Sequence, residues 1–296
     1  MKKQKIIVTG ANGYVGSSIA AYLRKNGCVV YEMGRHKSSK VSDKKLFIPF
    51  ELGKPVDAAA FRGKDTLIHC AYDFKLKTWP AIRKINIQGS IDLLRAARKS
   101  GVKKIIFISS FSAFEGAKSM YGQSKLAIEK AAARLGAYII RPPLIYGKNA
   151  GGTVGGLNRL IASSSIVPLV GLGSQKFYMC HVGDLAKLVL EISRKNIKTE
   201  APITAAPDKP FTLRQVISVL AAAKGKKVVF VPIPYWMLYS GLKLLELIGI
   251  KTRLRSDSIV SVLNRNPRID FTETKKFKTV FRDFNPKTAN QAAALL

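Results

Sequence analysis

The chain has 296 residues, 47% of them hydrophobic and 23% charged, so it is long enough to bury a sizeable core and is not compositionally disordered. Fifty Lys and Arg against eighteen Asp and Glu leave a formal net charge of +32, a balance that attracts polyanions such as phosphorylated small molecules or acidic lipid. Cys28, Cys70 and Cys180 are scattered without metal-like spacing, which excludes a disulfide scaffold, argues against a bound metal and fits a reducing cytoplasm.

The opening "MKKQKIIVTG" has too short an apolar run to be a secretory leader. It reads instead as a strand over residues 5–10 followed by the glycine-rich "VTGANGYVGSS" and a helix over 14–26. Gly10, Gly13 and Gly16 form G-x-x-G-x-x-G. Glycine permits a tight turn and lets backbone approach a pyrophosphate, whose oxygens meet the free N–H groups at a helix start. A strand, this loop and a helix in that order predict a dinucleotide site. The second strand, "VVYEMG" (29–34), carries Glu32 inside it and Gly34, Arg35, His36 and Lys37 at its tip. A basic tip favours the 2′-phosphate of NADP over the ribose diol of NAD.

Further strands are expected at 45–50, 66–71, 104–110 and 137–142, with helices over 55–62, 80–100 and 120–135. Strands alternating with helical stretches predict an α/β fold with a doubly wound parallel sheet of Rossmann type. Within "SSFSAFEGAKSMYGQSK" (109–125), Ser109, Ser110 and Ser112 fall at a strand's carboxyl end, where ligands of open α/β sheets bind. Tyr121 and Lys125 share one helical face. A tyrosine serves as an acid/base only with its pKa brought down, and a nearby ammonium favours the phenolate. A serine hydroxyl would position the alcohol or carbonyl oxygen.

The glycine-rich "GKNAGGTVGGLNRL" reads as a flexible crossing into a second region. "HVGDLAKLVLEISRK" (181–195) is helical again and expected to pack back on the sheet. The expected division is therefore 1–150 as the dinucleotide domain, joined by 175–200. Residues 151–174 and 201–296 would form a smaller substrate-binding lobe.

In chain order, "TGANGYVG", "DTLIHCA", "INIQGSIDLLRAA", "IIFISSFSAF", "YGQSK", "RPPLIYG" and "HVGDLA" together resemble the extended short-chain dehydrogenase/reductase superfamily, in its NAD(P)-dependent epimerase/dehydratase branch. The resemblance covers roughly residues 5–190 and implies NAD or NADP as cofactor. It makes Tyr121 the catalytic acid/base and has Lys125 lower its pKa and hold the nicotinamide ribose. Gly10, Asn12, Gly13, Tyr14, Val15 and Gly16 would line the phosphates, and Arg35, Glu51 and Leu52 the adenosine end. Cys70, Ala71, Tyr72, Ser109 and Pro142 would border the cofactor. Asn86 is a cofactor or structural asparagine by the same resemblance, and His181 and Asp184 are core organisers. In place of the usual V-Y-G and long acidic loop stands "FEG", with only ten residues between Ser110 and Tyr121. That leaves Ser110 and Ser112 as alternatives for the catalytic serine. No acid pair flanks them, which ranks dehydration below redox or epimerisation.

The expected activity is oxidation, reduction or epimerisation at a carbinol carbon of a nucleotide sugar or another anionic small molecule. The alternatives are an NADPH-dependent reductase of a non-sugar or lipid-linked ketone, and a cofactor-binding scaffold without turnover. "VPIPYWMLYSGLKLLELIGIKTRLR" (231–255) is too interrupted to span a bilayer. It is expected to cover the substrate cleft and to carry a homodimer contact, or to lie on an acidic membrane with Lys251, Arg253 and Arg255. No motif supports nucleic-acid binding.

Overall fold

A computed structural model describes residues 3–37, 43–248 and 256–291. Lys251, Arg253 and Arg255 lie outside them. The first half runs β1 (Lys5–Thr9), α1 (Tyr14–Lys25), β2 (Val29–Gly34), β3 (Phe47–Pro49) and β4 (Thr66–His69). A short turn, α2 (Trp79–Ala81), then passes through a π-helical stretch (Ile82–Gln88) into α3 (Gly89–Lys99). β5 (Lys104–Ile108), α4 (Met120–Arg134), β6 (Tyr138–Arg141) and β7 (Leu144–Tyr146) follow. The helix expected over 55–62 is only a 3-10 turn, Ala58–Phe61. Pro55 precedes it and Gly63, at φ +67°, closes it, leaving no room for a second turn.

The later elements are α5 (Gly152–Ser163), β8 (Ile166–Val170), β9 (Lys176–Phe177), β10 (Met179–His181), α6 (Val182–Arg194), β11 (Ile203–Thr204) and β12 (Phe211–Thr212). Then come α7 (Leu213–Ala222), β13 (Val229–Ile233), α8 (Tyr235–Leu247) and α9 (Ser256–Leu263). Of the glycine-rich stretch expected to be a flexible crossing, residues 147–151 are irregular and the part from Gly152 on is the helix α5. Val154 and Ile161 bury one of its faces, and Gly155 lies so close to the Ala150 carbonyl that a Cβ would stand 2.2 Å from it. Burial of that face outweighs the helix cost of glycine.

Seven parallel strands form one sheet in the order β11-β6-β5-β4-β1-β2-β3, which reverses direction between β1 and β4. Alternate residues serve two cores. Ile6, Val8, Ile68, Ile106 and Ile140 meet α1 and α6 on one face, whereas Ile7, Leu67, Ile105, Phe107 and Ile139 meet α3 and α4 on the other. Both side-chain sets are apolar because both faces are covered, as parallel sheets require. Ile203–Thr204, placed on sequence in the smaller lobe, is the seventh strand of this sheet, and Phe277 and Phe281 also join its α1/α6 core. The third core gathers α5, α7, β8 and β13 around Tyr146, with Leu242 of α8 and Phe284.

Against the expectation of a helix packed over the cleft, α8 buries only Leu242. No helix among the described residues is long and apolar enough to cross a membrane.

Candidate active site

The reversal between β1 and β4 opens a crevice at the strands' carboxyl ends, and a cavity of about 1320 Å³ fills it. Its first wall is the glycine loop. Gly10 turns at φ +67°, Gly13 N–H donates to the Gly10 carbonyl at 2.9 Å, and a Cβ on Gly16 would stand 2.3 Å from that carbonyl oxygen. The compact turn aims the start of α1 at the cavity. Its first helical turn carries no acidic residue, so the N-terminal positive end of the helix stays uncompensated.

Beside this loop, β4 ends on a buried polar relay. Thr9 Oγ1 accepts from the N–H groups of Cys70 (3.1 Å) and Ala71 (3.2 Å). Both lone pairs are then used, so its own proton goes to His69 Nδ1 at 2.8 Å, and Nε2–H donates to Ser90 Oγ at 2.9 Å. Burial, then the charge of Lys125, push the His69 pKa down to about 3, so the ring is neutral. This relay fixes the β4 exit against Gly10, where a Cβ would meet Ala71 N at 2.9 Å.

At the β2 tip, Glu32 is buried and ion-paired with Arg24 of α1 at 2.7 Å, while Arg35 and His36 are exposed on the cavity rim. Asn12 Nδ2 donates to the His36 carbonyl at 2.6 Å, joining the glycine loop to this tip. Glu51 and Leu52 line the same end of the cavity.

The opposite wall is β5 with α4. Ser109 is buried in this wall and its Oγ has no partner among the described residues, an orphaned donor on the cavity lining. Ser112 N–H donates to Ser110 Oγ at 3.2 Å, which holds that hydroxyl in place. α4 is capped by Ser119, whose Oγ accepts from Gly122 N–H at 3.1 Å. Gly122 itself permits close approach: a Cβ there would lie 2.2 Å from the Ser112 carbonyl oxygen. The glycine after Tyr121 thus lets the helix start press against the serine loop.

Tyr121 meets Tyr72 edge-on with ring centroids 5.1 Å apart and meets Phe74 at 5.6 Å. Ser124 Oγ donates to the Tyr121 carbonyl at 2.8 Å, so its oxygen accepts from Tyr72 OH at 2.9 Å. Burial and then Tyr72 raise the Tyr121 pKa, and the Ser110 hydroxyl draws it down. One turn on, Lys125 donates to the Ile108 carbonyl at 2.9 Å, with its ammonium 6.0 Å from the Tyr121 ring centroid. Burial lowers the Lys125 pKa to about 8 against the opposing influence of Cys70 and Glu129. Glu129 in turn pairs with Arg141, whose Nε lies 2.9 Å from its carboxylate.

Gly10, Asn12, Gly13, Tyr14, Val15, Gly16, Arg35, Glu51, Leu52, Cys70, Ala71, Tyr72, Ser109, Ser110, Ser112, Tyr121, Lys125 and Pro142 all line this one cavity. Asn86 does not. It is buried in the π-helical stretch, where it accepts from Asp73 N–H (2.8 Å) and donates to the Asp73 carbonyl (3.0 Å), pinning the loop after β4. His181 caps α6 by accepting from Gly183 N–H at 3.0 Å, and buried Asp184 is paired with Arg282.

The sequence reading missed Asp257 and Asn264. Asp257 accepts from Met120 N–H at 2.9 Å, and Asn264 accepts from Lys118 N–H at 2.8 Å. Their partners are more than 130 positions away, so no local pattern marks them. Arg265, lying over the Phe177 ring at 4.9 Å, and Lys176 also line the cavity. Among the described residues no cluster of His, Cys, Asp or Glu is arranged to hold a metal.

The family model of the NAD dependent epimerase/dehydratase family matches residues 6–203. Ceramide reductase of Caulobacter vibrioides is 28% identical over 236 residues, spanning 77% of this chain and 73% of that protein. UDP-glucose 4-epimerase of Vibrio cholerae is 24% identical, spanning 92% of this chain and 89% of that one. The crystal structure of gox2253 superposes with a TM-score of 0.73 at 20% identity, over 99% of this chain and 97% of that one, a likeness of fold. With its glycine loop, reversed sheet order and family match all falling on the same residues, the chain belongs to the NAD-dependent epimerase/dehydratase family.

Proposed function

We propose that the protein is an NADP-preferring oxidoreductase or epimerase acting on a carbinol or ketone carbon of an anionic substrate. The observation that carries this reading is one cavity bounded by the glycine loop and α1 start on one side and by Ser110, Tyr121 and Lys125 on the other. The residues fit a dinucleotide. The cradle at Gly16 excludes side chains, the α1 terminus is free of acids, and Ser109 Oγ lacks a partner among the described residues. When bound, the nicotinamide gives or takes hydride at the substrate carbon.

The chain's own residues handle the oxygen of that carbon. Tyr121 Oη gives up or accepts its proton, and Ser110 Oγ holds the oxygen in place. Lys125 keeps an ammonium near the Tyr121 ring and would hold the cofactor ribose. Ser110 is preferred to Ser112 because its hydroxyl is the one drawing the Tyr121 pKa down. A ketone held in the cavity and returned to alcohol of opposite hand makes an epimerase. A ketone or alcohol that departs makes a dehydrogenase or reductase.

NADP is supported by exposed Arg35 and His36 at the β2 tip and by Glu32 being tied to Arg24. Arg265 and Lys176 offer cations to a phosphorylated substrate, and the Vibrio relative's name makes a nucleotide sugar one choice. The Caulobacter relative's name favours a second reading, a lipid ketone reductase. A scaffold without turnover is disfavoured by the intact Tyr121 and Lys125. Free Cys28, Cys70 and Cys180 fit a reducing cytoplasm.

The test pairs the mass of any co-purifying nucleotide with a Tyr121→Phe variant. Loss of general acid/base assistance should lower turnover by about 10²–10⁴-fold while the reduced dinucleotide still binds. Unchanged turnover would sink the mechanism.

A further inference from the structure

α8 packs against α9 and seats Leu242 in the lobe core, yet it leaves a run of large apolar side chains exposed. Trp236, Met237, Leu244, Leu247 and Ile248 are all exposed, Trp236 by 60% and Leu247 by 74%. At about 100° per residue they fall within an arc of about 120°. Leu242, the one buried side chain of the helix, projects from the opposite side and joins the lobe core with Leu238. The exposed arc is therefore the face that the described residues leave uncovered, opposite the seated one. Exposed apolar faces of this kind mark interaction sites.

We propose that this face of α8 docks the protein on an anionic lipid bilayer. At thirteen residues, about 20 Å, the helix is too short to cross the roughly 30 Å hydrocarbon layer, so it lies along the interface. Trp236 is the side chain suited to the headgroup boundary. Charge selects the partner. At a net +32, two copies of the chain repel each other, whereas an acidic membrane surface attracts either one. Lys243 adds an exposed cation on the helix itself.

The docked face is linked to the active site. α9 packs against α8 and against α4, contributes Asp257, Ser261 and Leu263 to the cavity wall, and accepts the Met120 N–H through Asp257. A bilayer under α8 thus sits two helices from Tyr121, which suits a substrate with a lipid tail. The docking itself is independent of the redox reading, because it is measured without substrate.

The test is sedimentation of the full chain with vesicles of phosphatidylglycerol and phosphatidylcholine, against phosphatidylcholine alone. Binding to the anionic vesicles that weakens with salt is expected. In a Trp79→Phe background, Trp236 emission should shift to the blue on binding. A Trp236→Gln/Leu247→Gln variant should bind about tenfold or more weakly while keeping its circular dichroism spectrum and dinucleotide affinity. Absence of binding at low salt would overturn the proposal. So would full binding by the double variant, which would mean charge alone is responsible. A dimer in analytical ultracentrifugation that the double variant dissociates would assign the face to a second copy instead.

Discussion

Tyr121 stands in surroundings that favour its neutral phenol. Burial and the neighbouring Tyr72 hold its proton on, and the Ser110 hydroxyl works the other way. Removing that hydroxyl should therefore matter more than removing its neighbour's. Ser110→Ala is expected to lower kcat by about 10²-fold or more, and Ser112→Ala far less, since Ser112 reaches Ser110 through its backbone N–H. Parallel steady-state assays of the two variants check this; equal losses would remove Ser110 from its role.

Lys125 gives a pH signature. With its pKa lowered from 10.5 to about 8, the free protein loses this ammonium as pH rises through about 8. Dinucleotide affinity should then weaken several-fold between pH 7 and 9, read from the fluorescence of the reduced cofactor. The stability sign is the reverse. Between about 8 and 10.5 the unfolded chain binds more protons than the folded one, so folding stability rises with pH as the buried charge is relieved.

At the scale of elements, the start of α4 is assembled from three places. Ser119 caps it from within, Asp257 accepts from Met120 N–H from outside, and Gly122 allows contact with the serine loop. Gly122→Ala inserts a Cβ against a backbone oxygen, which neither partner can avoid without shifting. A cost of about 1–3 kcal/mol and a Tm several degrees lower are expected. The accompanying displacement of Tyr121 should reduce kcat more than it changes KM. Thermal melts and kinetics of this variant check both.

The same elements show what was readable beforehand. The glycine loop and the Tyr121–Lys125 pair are local patterns whose spacing dictates their geometry, so they were legible. Asp257 and Asn264 reach α4 only through the tertiary fold. The glycines before and within α5 suggested a loop because propensity ignores Val154 and Ile161, which bury the helix. For α8 the apolar sequence was visible, but whether it covered the cleft or faced outward depended on which side Leu242 takes. Asn86 fits a family pattern, yet its amide both accepts from and donates to the Asp73 backbone.

For the whole molecule, the late chain returns to the early one. Asp184, 1% exposed, binds Arg282 through several contacts, including Nη2–Oδ1 at 2.6 Å, and Phe277 and Phe281 finish the core between α1 and α6. β11 pairs with the outer edge of β6 after most of the sheet has been made. The share of the fold readable from sequence ended near here, because a strand of two residues has no periodicity to detect.

That seventh strand bears on modularity. The dinucleotide-binding half is not a self-sufficient cassette, since its boundary strand, its Arg282 counter-ion and two of its aromatic residues are supplied from beyond residue 200. A fragment of residues 1–200 would present the bare edge of β6 and leave Asp184 with Lys187, at 4.0 Å, in place of its closer Arg282 partner. It should be recovered as aggregate, with the full chain unfolding in a single calorimetric transition; a soluble, cofactor-binding fragment would refute this. Recombination of this half onto another substrate lobe would have to carry the C-terminal segment with it, so the heritable unit of this fold is the discontinuous pair of segments.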